Sequence, residues 1–293
     1  MEQESVLQKP IEVKYSIRRV DTPNGRAYYA DGQEGKDREY FYSSTTIIDG
    51  ALAKGIGFDM WLGNSNSYAD AMEYASEKAD RGTCVHEIVE RMILGDTIDT
   101  QKGWYNERSE SEIKIDDGIK GMLDAYIKFN KEFNPEVLST ELSLYNPKKY
   151  KNRFGEGPRF PFAGTADLIC RTNQKNTDGQ QGDSKLSIID IKTGKEYHHS
   201  HELQLTSYKL LFDSLYEKDY GCVDDMYCLY LRPSGNYKLV QYTFQPDLWY
   251  LAVDIFHYLI SSKTGRMPKI KEKQPTPRFY TLDGPIDEEI DNE

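Results

Sequence analysis

The chain has 293 residues, of which 38% are hydrophobic and 29% charged, and it carries a net charge of −11. That length suffices for one large domain with appendages or for two modest ones, each able to bury a core. No apolar run approaches the ~20 residues of a membrane-spanning helix, and the acidic balance excludes a surface that is basic everywhere while leaving room for a local basic groove.

The opening MEQESVLQKP lacks the basic start and apolar run of a secretory signal, so an intracellular, cytoplasmic protein is expected. Residues 11–48 read as β-rich, with a Pro-Asn-Gly turn in YSIRRVDTPNGRAYYADG followed by the extended-looking REYFYSSTTII. From Phe58 to about Leu94 apolar residues recur at helical spacing, interrupted by Gly82 and ended near Gly95, and DDGIKGMLDAYIKFNKEF reads as another helix. EVLSTELSLY, FAGTADLICR and KLSIIDIKTG are three strands, the last two joined as a hairpin through the turn-rich TNQKNTDGQQGDS. HHSHELQLTSYKLLFDSLYEK is a helix, MYCLYLRPSGNYKLVQYTF two strands about a Pro-Ser-Gly turn, and QPDLWYLAVDIFHYLI a closing helix. This order predicts an α/β domain, a mixed central sheet flanked by helices. The expected division is a β-rich extension over 1–50, a core over 51–262 and a flexible tail over 263–293, basic at first and then acidic.

The chemistry gathers around SIIDIKTGK. In a strand, Asp190 and Lys192 share a face near the strand's end, just before the turn-forming Gly194. Alone, such a pair is more often a strand-end ion pair than a functional site. If the two hairpin strands are antiparallel neighbours, however, Asp167 of GTADLI lies beside Asp190. Two adjacent carboxylates repel unless a cation sits between them, and oxygen ligands suit Mg²⁺ or Mn²⁺. Upstream, His86 and Glu90 stand four apart on one helix face; downstream, Gln204 and Tyr208 have the same spacing on the helix that leaves the Lys192 turn.

Gly82-Thr83-x-x-His86, Gly164-Thr165-Ala166-Asp167, Asp190-Ile191-Lys192-Thr193-Gly194 and Gln204-x-x-x-Tyr208, in that order, resemble the four motifs of the PD-(D/E)XK nuclease superfamily, in its RecB-like exonuclease branch. YFYSSTTIIDGAL also resembles the Ser-x-Thr-Thr segment of phage exonucleases and of the mitochondrial genome maintenance exonuclease, and the match spans roughly residues 40–215. The resemblance implies a metal-dependent DNA exonuclease of recombination, repair or replication. A structure-specific endonuclease and an inactive DNA-binding or assembly module are the alternatives. It implies that Asp167, Asp190, His86 and the Ile191 carbonyl are metal ligands, and that Lys192 orients or deprotonates the attacking water. Gln204 and Tyr208 would support the site or touch DNA, with Glu141 as an accessory acid. Several relatives hold an iron–sulfur cluster through four cysteines, three of them near the C-terminus; Cys84, Cys170, Cys222 and Cys228 do not follow that pattern, and no cluster is expected.

DNA, as single strands or duplex ends, is the expected partner. The resemblance leaves room for a recombination or replication protein and for a phage-encoded chain acting in a bacterial host. NPKKYKNRFGEGPR carries five basic residues against Glu156 alone, which nominates Lys148, Lys149, Lys151 and Arg153 for phosphate contacts and Tyr150 or Phe154 for stacking on a base.

Overall fold

A computed structural model of the chain describes residues 11–22, 25–30, 40–106, 110–145, 162–175, 181–196, 198–260, 279–281 and 284–286. Strands β1 (Ile17–Thr22), β2 (Gly25–Ala30) and β3 (Tyr40–Ser43) pair antiparallel in sequence order. The run after Tyr40, expected to stay extended, turns into helix α1 (Ser44–Ala51) at Ser43. The Ser43 hydroxyl accepts the Thr46 N–H at 3.0 Å, and this cap prevails over the β-propensity of Thr45, Thr46, Ile47 and Ile48. The Ser-x-Thr-Thr segment is thus a helix start, and Ser44 Oγ donates to the Ala163 carbonyl at 3.2 Å.

Helix α2 (Ile56–Gly63) is followed by α3 (Tyr68–Ile93), which runs unbroken through Gly82, where an interruption was expected. The glycine sits at a close approach: a Cβ at position 82 would stand 3.0 Å from Thr193 Oγ1, tighter than an ordinary contact, so that side chain would have to give by a few tenths of an ångström. The short pair β4 (Trp104–Asn106) and β5 (Ser111–Ile113), which the sequence did not reveal, precedes α4 (Asp117–Phe133). Asp116 caps α4 through Ile119 N–H at 2.9 Å and takes both Arg81 guanidinium nitrogens, which fixes α3 to the start of α4.

The rest follows the expected order: β6 (Glu136–Tyr145), β7 (Phe162–Lys175), β8 (Gln181–Lys192), α5 (His198–Tyr220), β9 (Asp225–Leu231), β10 (Tyr237–Tyr242) and α6 (Pro246–Ile260), then a small hairpin of β11 (Phe279–Thr281) and β12 (Gly284–Ile286). The main sheet has the order β1-β2-β3-β7-β8-β9-β10, with β6 on β7, so the N-terminal strands continue the central sheet. Both faces are covered. Ile188 joins a core with α1, α5 and α6, while Ile189 and Ile191 join a second core with α3 and α4. Burial on both sides explains why β8 reads as a nearly continuous apolar run.

One feature of the sheet positions the site. β6 pairs along β7 from Ala163 to Arg171, so the two remaining neighbours share the opposite edge of β7. β3 takes Phe162 and Ala163 in parallel, and β8 takes Leu168 onward antiparallel. Between them, Gly164–Asp167 lies in a fork where β3 and β8 part.

Candidate active site

The fork gathers the residues that the sequence nominated. The last pair of the β7–β8 ladder is Leu168 with Ile189, so Asp167 and Asp190 stand one step further, where the strands diverge. Asp167 Oδ2 accepts the Ile191 N–H at 2.7 Å, which fixes the carboxylate across the gap. From β6, Thr140 faces Leu168 and Leu142 faces Ala166, so Glu141 falls abreast of Asp167. Its backbone is left-handed, with φ of 47°, a conformation that L-residues other than Gly, Asn and Asp adopt rarely and at a cost of about 1–3 kcal/mol. Helix α3 brings His86, whose Nδ1 lies 3.5 Å from Asp167 Oδ2 and 4.0 Å from Glu141 Oε1.

His86, Glu141 and Asp167 therefore form one group of potential metal ligands, with donor atoms within 4.8 Å of one another. Ligands about 2.1 Å from a common ion stand no more than about 4.2 Å apart, and both His86 distances fall inside that limit. The electrostatics agree with the donor chemistry. Burial pushes Glu141 up to about 9, with Asp167, Glu90 and Asp190 adding repulsion. Asp167 is pushed up to about 6, first by burial and then by Asp190, against His86 and Lys192. Carboxyl groups crowded until they hold their protons gain most from a cation that replaces those protons. Glu141, expected as an accessory acid, is thus a full member of the group. Its signal in the sequence was its place opposite Asp167, which needs the strand register to be read.

Asp190 is almost fully buried, and its carboxylate is engaged on both oxygens. Oδ2 lies 2.5 Å from Lys192 Nζ, and Oδ1 accepts from Gln204 Nε2 at 3.1 Å. Gln204 also accepts from Lys192 Nζ at 3.0 Å and donates to the Tyr208 hydroxyl at 2.8 Å. The predicted helix pair is therefore a clamp that sets the Asp190–Lys192 couple. Burial works against the Lys192 ammonium, but Asp190 and Asp167 outweigh it and its pKa is raised. Cys228, on the strand beside β8, places Sγ 3.8 Å from Asp190 Oδ2, a neighbour without any signal in the residue spacing.

The glycine of Gly-Thr-Ala-Asp has a steric reason: a Cβ at Gly164 would stand 2.4 Å from Tyr208 Cε1. Thr165 Oγ1 lies 3.3 Å from the Tyr28 hydroxyl, which links the motif to β2. Lys148, Lys149, Lys151 and Arg153 lie outside the described residues.

No family model matches the chain, and no curated protein matches it. Among solved structures it is similar to the one described as the crystal structure of SSO0001, at 21% identity and a TM-score of 0.26. The likeness covers 48% of this chain and 60% of that one, less than two thirds of its length, and no argument is built on it.

Proposed function

We propose that the protein is a metal-dependent deoxyribonuclease that hydrolyses phosphodiester bonds, acting as an exonuclease of the PD-(D/E)XK kind. The observation that carries this reading is the meeting of two units in one fork, the His86–Glu141–Asp167 group and the clamped Asp190–Lys192 couple. His86, Glu141 and Asp167 would hold Mg²⁺ or Mn²⁺, with Asp190 close enough to both carboxylates to add to their mutual repulsion. When bound, such a cation supplies charge neutralisation for the phosphate and acidifies water.

The chain's own residues do the rest. Lys192, kept protonated by its carboxylate neighbours, is a charged donor that orients the attacking water or stabilises the developing charge on phosphate. Gln204 holds the ammonium and the Asp190 carboxylate in a fixed relation, and Tyr208 holds Gln204. The test is a time course on end-labelled linear and covalently closed circular DNA with Mg²⁺, Mn²⁺ or EDTA. Loss of the linear substrate alone, abolished by EDTA, is expected. Nicking of the circle would replace the exonuclease with an endonuclease, and binding without cleavage under every metal would overturn the enzymatic reading.

A further inference from the structure

Alternate residues of β9 turn one face towards helix α5, and the parallel register with β8 sets that face beside the candidate site. Cys228 stands opposite Asp190, and Tyr230 stands opposite Lys192. Arg232, one residue past the end of the strand, continues the alternation. On α5, His201, Gln204 and Tyr208 are spaced by three and four, so they share one stripe of the helix. Gln204 and Tyr208 hold the Asp190–Lys192 couple. His201, one turn nearer the start of the helix, is buried as well.

What His201 meets is β9. Its Nδ1 lies 2.7 Å from the Tyr230 hydroxyl, and that hydroxyl lies 2.8 Å from the hydroxyl of Tyr242 on β10. With one proton and two lone pairs, the Tyr230 hydroxyl can satisfy both neighbours at once. Tyr230 is fully buried, where such bonds are electrostatically stronger than in water. The same strand also holds the turn between Lys192 and the helix. Arg232 donates to the Gly194 carbonyl at 3.1 Å and to the Glu196 carboxylate at 2.7 Å, with its guanidinium carbon 5.5 Å from the centroid of the Tyr230 ring. Lys238 takes the other Glu196 oxygen at 2.7 Å.

We propose that Tyr230 is a positioning residue for the reaction: through His201 it fixes the first turns of α5, and so the distance at which Gln204 meets Asp190 and Lys192. This role rests on the nuclease reading of the site. Lys192 ends a strand while Gln204 belongs to the next helix, and the turn between them contains Gly194, whose backbone is permissive. A hydrogen bond of 3.0 Å between Lys192 and Gln204 is lost when the two elements shift by less than an ångström. Ties from β9 at Gly194, Glu196 and His201 remove that freedom, because they fasten the turn and the helix to the strand that lies beside Lys192. A misplacement of about 1 Å caused by a residue far from the chemistry can cost about 100-fold in rate. Removing one hydroxyl loosens the brace without removing it, so a loss of about tenfold is expected.

The test compares Tyr230→Phe, which deletes the hydroxyl and keeps the ring, with Tyr237→Phe, which deletes a hydroxyl bonded to Glu132 on the opposite face of the same hairpin. Tyr230→Phe should lower the single-turnover rate at saturating DNA about tenfold and leave DNA affinity within about twofold, whereas Tyr237→Phe should leave the rate unchanged. His201→Leu, which breaks the same bond from the helix side, should reproduce the loss. Added to Gln204→Ala, Tyr230→Phe should lower the rate no further, because its effect passes through Gln204. A second readout needs no DNA. The Gln204 side-chain amide donates to Asp190 and Tyr208, and its hydrogen exchange, followed by NMR on a resonance assigned from its loss in Gln204→Ala, should be about tenfold faster in Tyr230→Phe. A Tyr230→Phe rate equal to that of Tyr237→Phe, a further loss in the Gln204→Ala background, or unchanged exchange would each overturn the positioning role. If the unaltered chain cleaves no DNA under any metal, the nuclease reading falls, and exchange at Gln204 alone decides whether Tyr230 holds the clamp.

Discussion

At Asp190 the surroundings decide what a substitution means. Its buried carboxylate faces a lysine 2.5 Å away, so Asp190→Ala would leave an uncompensated ammonium, and breaking such a pair costs about 3–5 kcal/mol. Asp190→Asn also removes the charge opposite Lys192 but keeps the shape and the Gln204 contact, so it leaves no cavity and is the less disruptive probe. Both Asp190→Asn and Lys192→Ala are expected to lower the cleavage rate at least about 100-fold, the scale on which removing one preorganised charge-stabilising group acts. Native-like melting with near-normal cleavage in either variant would remove the couple from the reaction. The crowded carboxyls give a second prediction. Asp167 and Glu141 titrate in the folded chain near 6 and 9, above their ordinary 3.8 and 4.5, so between about pH 4 and 9 the folded state holds protons that the unfolded state has released. Stability of the metal-free protein therefore falls as pH rises through that window. Thermal melts from pH 5 to 9 should show a declining midpoint, restored by millimolar Mg²⁺. In Glu141→Gln the decline should flatten above pH 6, and metal should restore less. A metal-free midpoint that rises with pH would contradict the assigned directions.

The elements meet at the fork through close approaches rather than long side chains. Gly164 on β7 lies under the Tyr208 ring from α5, and Gly82 on α3 lies over Thr193 after β8. Gly164→Ala forces the ring away, with an overpacking cost of about 1–3 kcal/mol. Because Tyr208 holds Gln204, and Gln204 holds Lys192, cleavage should fall along with stability. Adding Tyr208→Leu should recover melting temperature by relieving the clash but not cleavage, because the hydroxyl is lost. Recovery of both would show that the clamp is dispensable. Helix α1 supplies the other wall: Ser43 starts the helix and Ser44 ties it to Ala163, so the local cap also sets the open side of the fork.

Over the whole molecule, the fork and the β6–β7 connection lie towards one end of the sheet. Tyr145 of β6 pairs with Ala163 of β7, each four residues from the acid its own strand carries, Glu141 and Asp167. Residues 146–161 lie outside the described residues, and the strands that flank them thus end about 13 Å from the site at the strand rise. If the proposed nuclease reading holds, the basic residues of that stretch are the candidates for phosphate contacts. Replacing Lys148, Lys149 and Lys151 by Ala should weaken DNA binding without sequence preference and flatten the slope of log affinity against log salt by roughly two. The single-turnover rate at saturating DNA should change little. Parallel salt plots of equal height for wild type and variant would exclude the segment from the DNA path.

Sequence alone determined the mixed sheet with its flanking helices, because periodic segments such as residues 117–133 carry their own pattern of burial. It also determined that Asp167, Asp190, Lys192 and Gln204 would meet, because a hairpin followed by a helix brings them together with little help from the rest of the chain. Tertiary structure decided the remainder. Ser-x-Thr-Thr became a cap because one hydroxyl–amide bond outweighed the β-propensity of four residues, and Gly82 marks a close approach to Thr193 inside α3 instead of a break in the helix. Glu141 joined the ligand group only through the register of β6 on β7 and a left-handed backbone, neither of which leaves a trace in the spacing of residues along the chain. The fork depends on two strands distant in sequence sharing one edge of β7, and a pairing over such a separation is set by the packing of the whole sheet, not by local propensity.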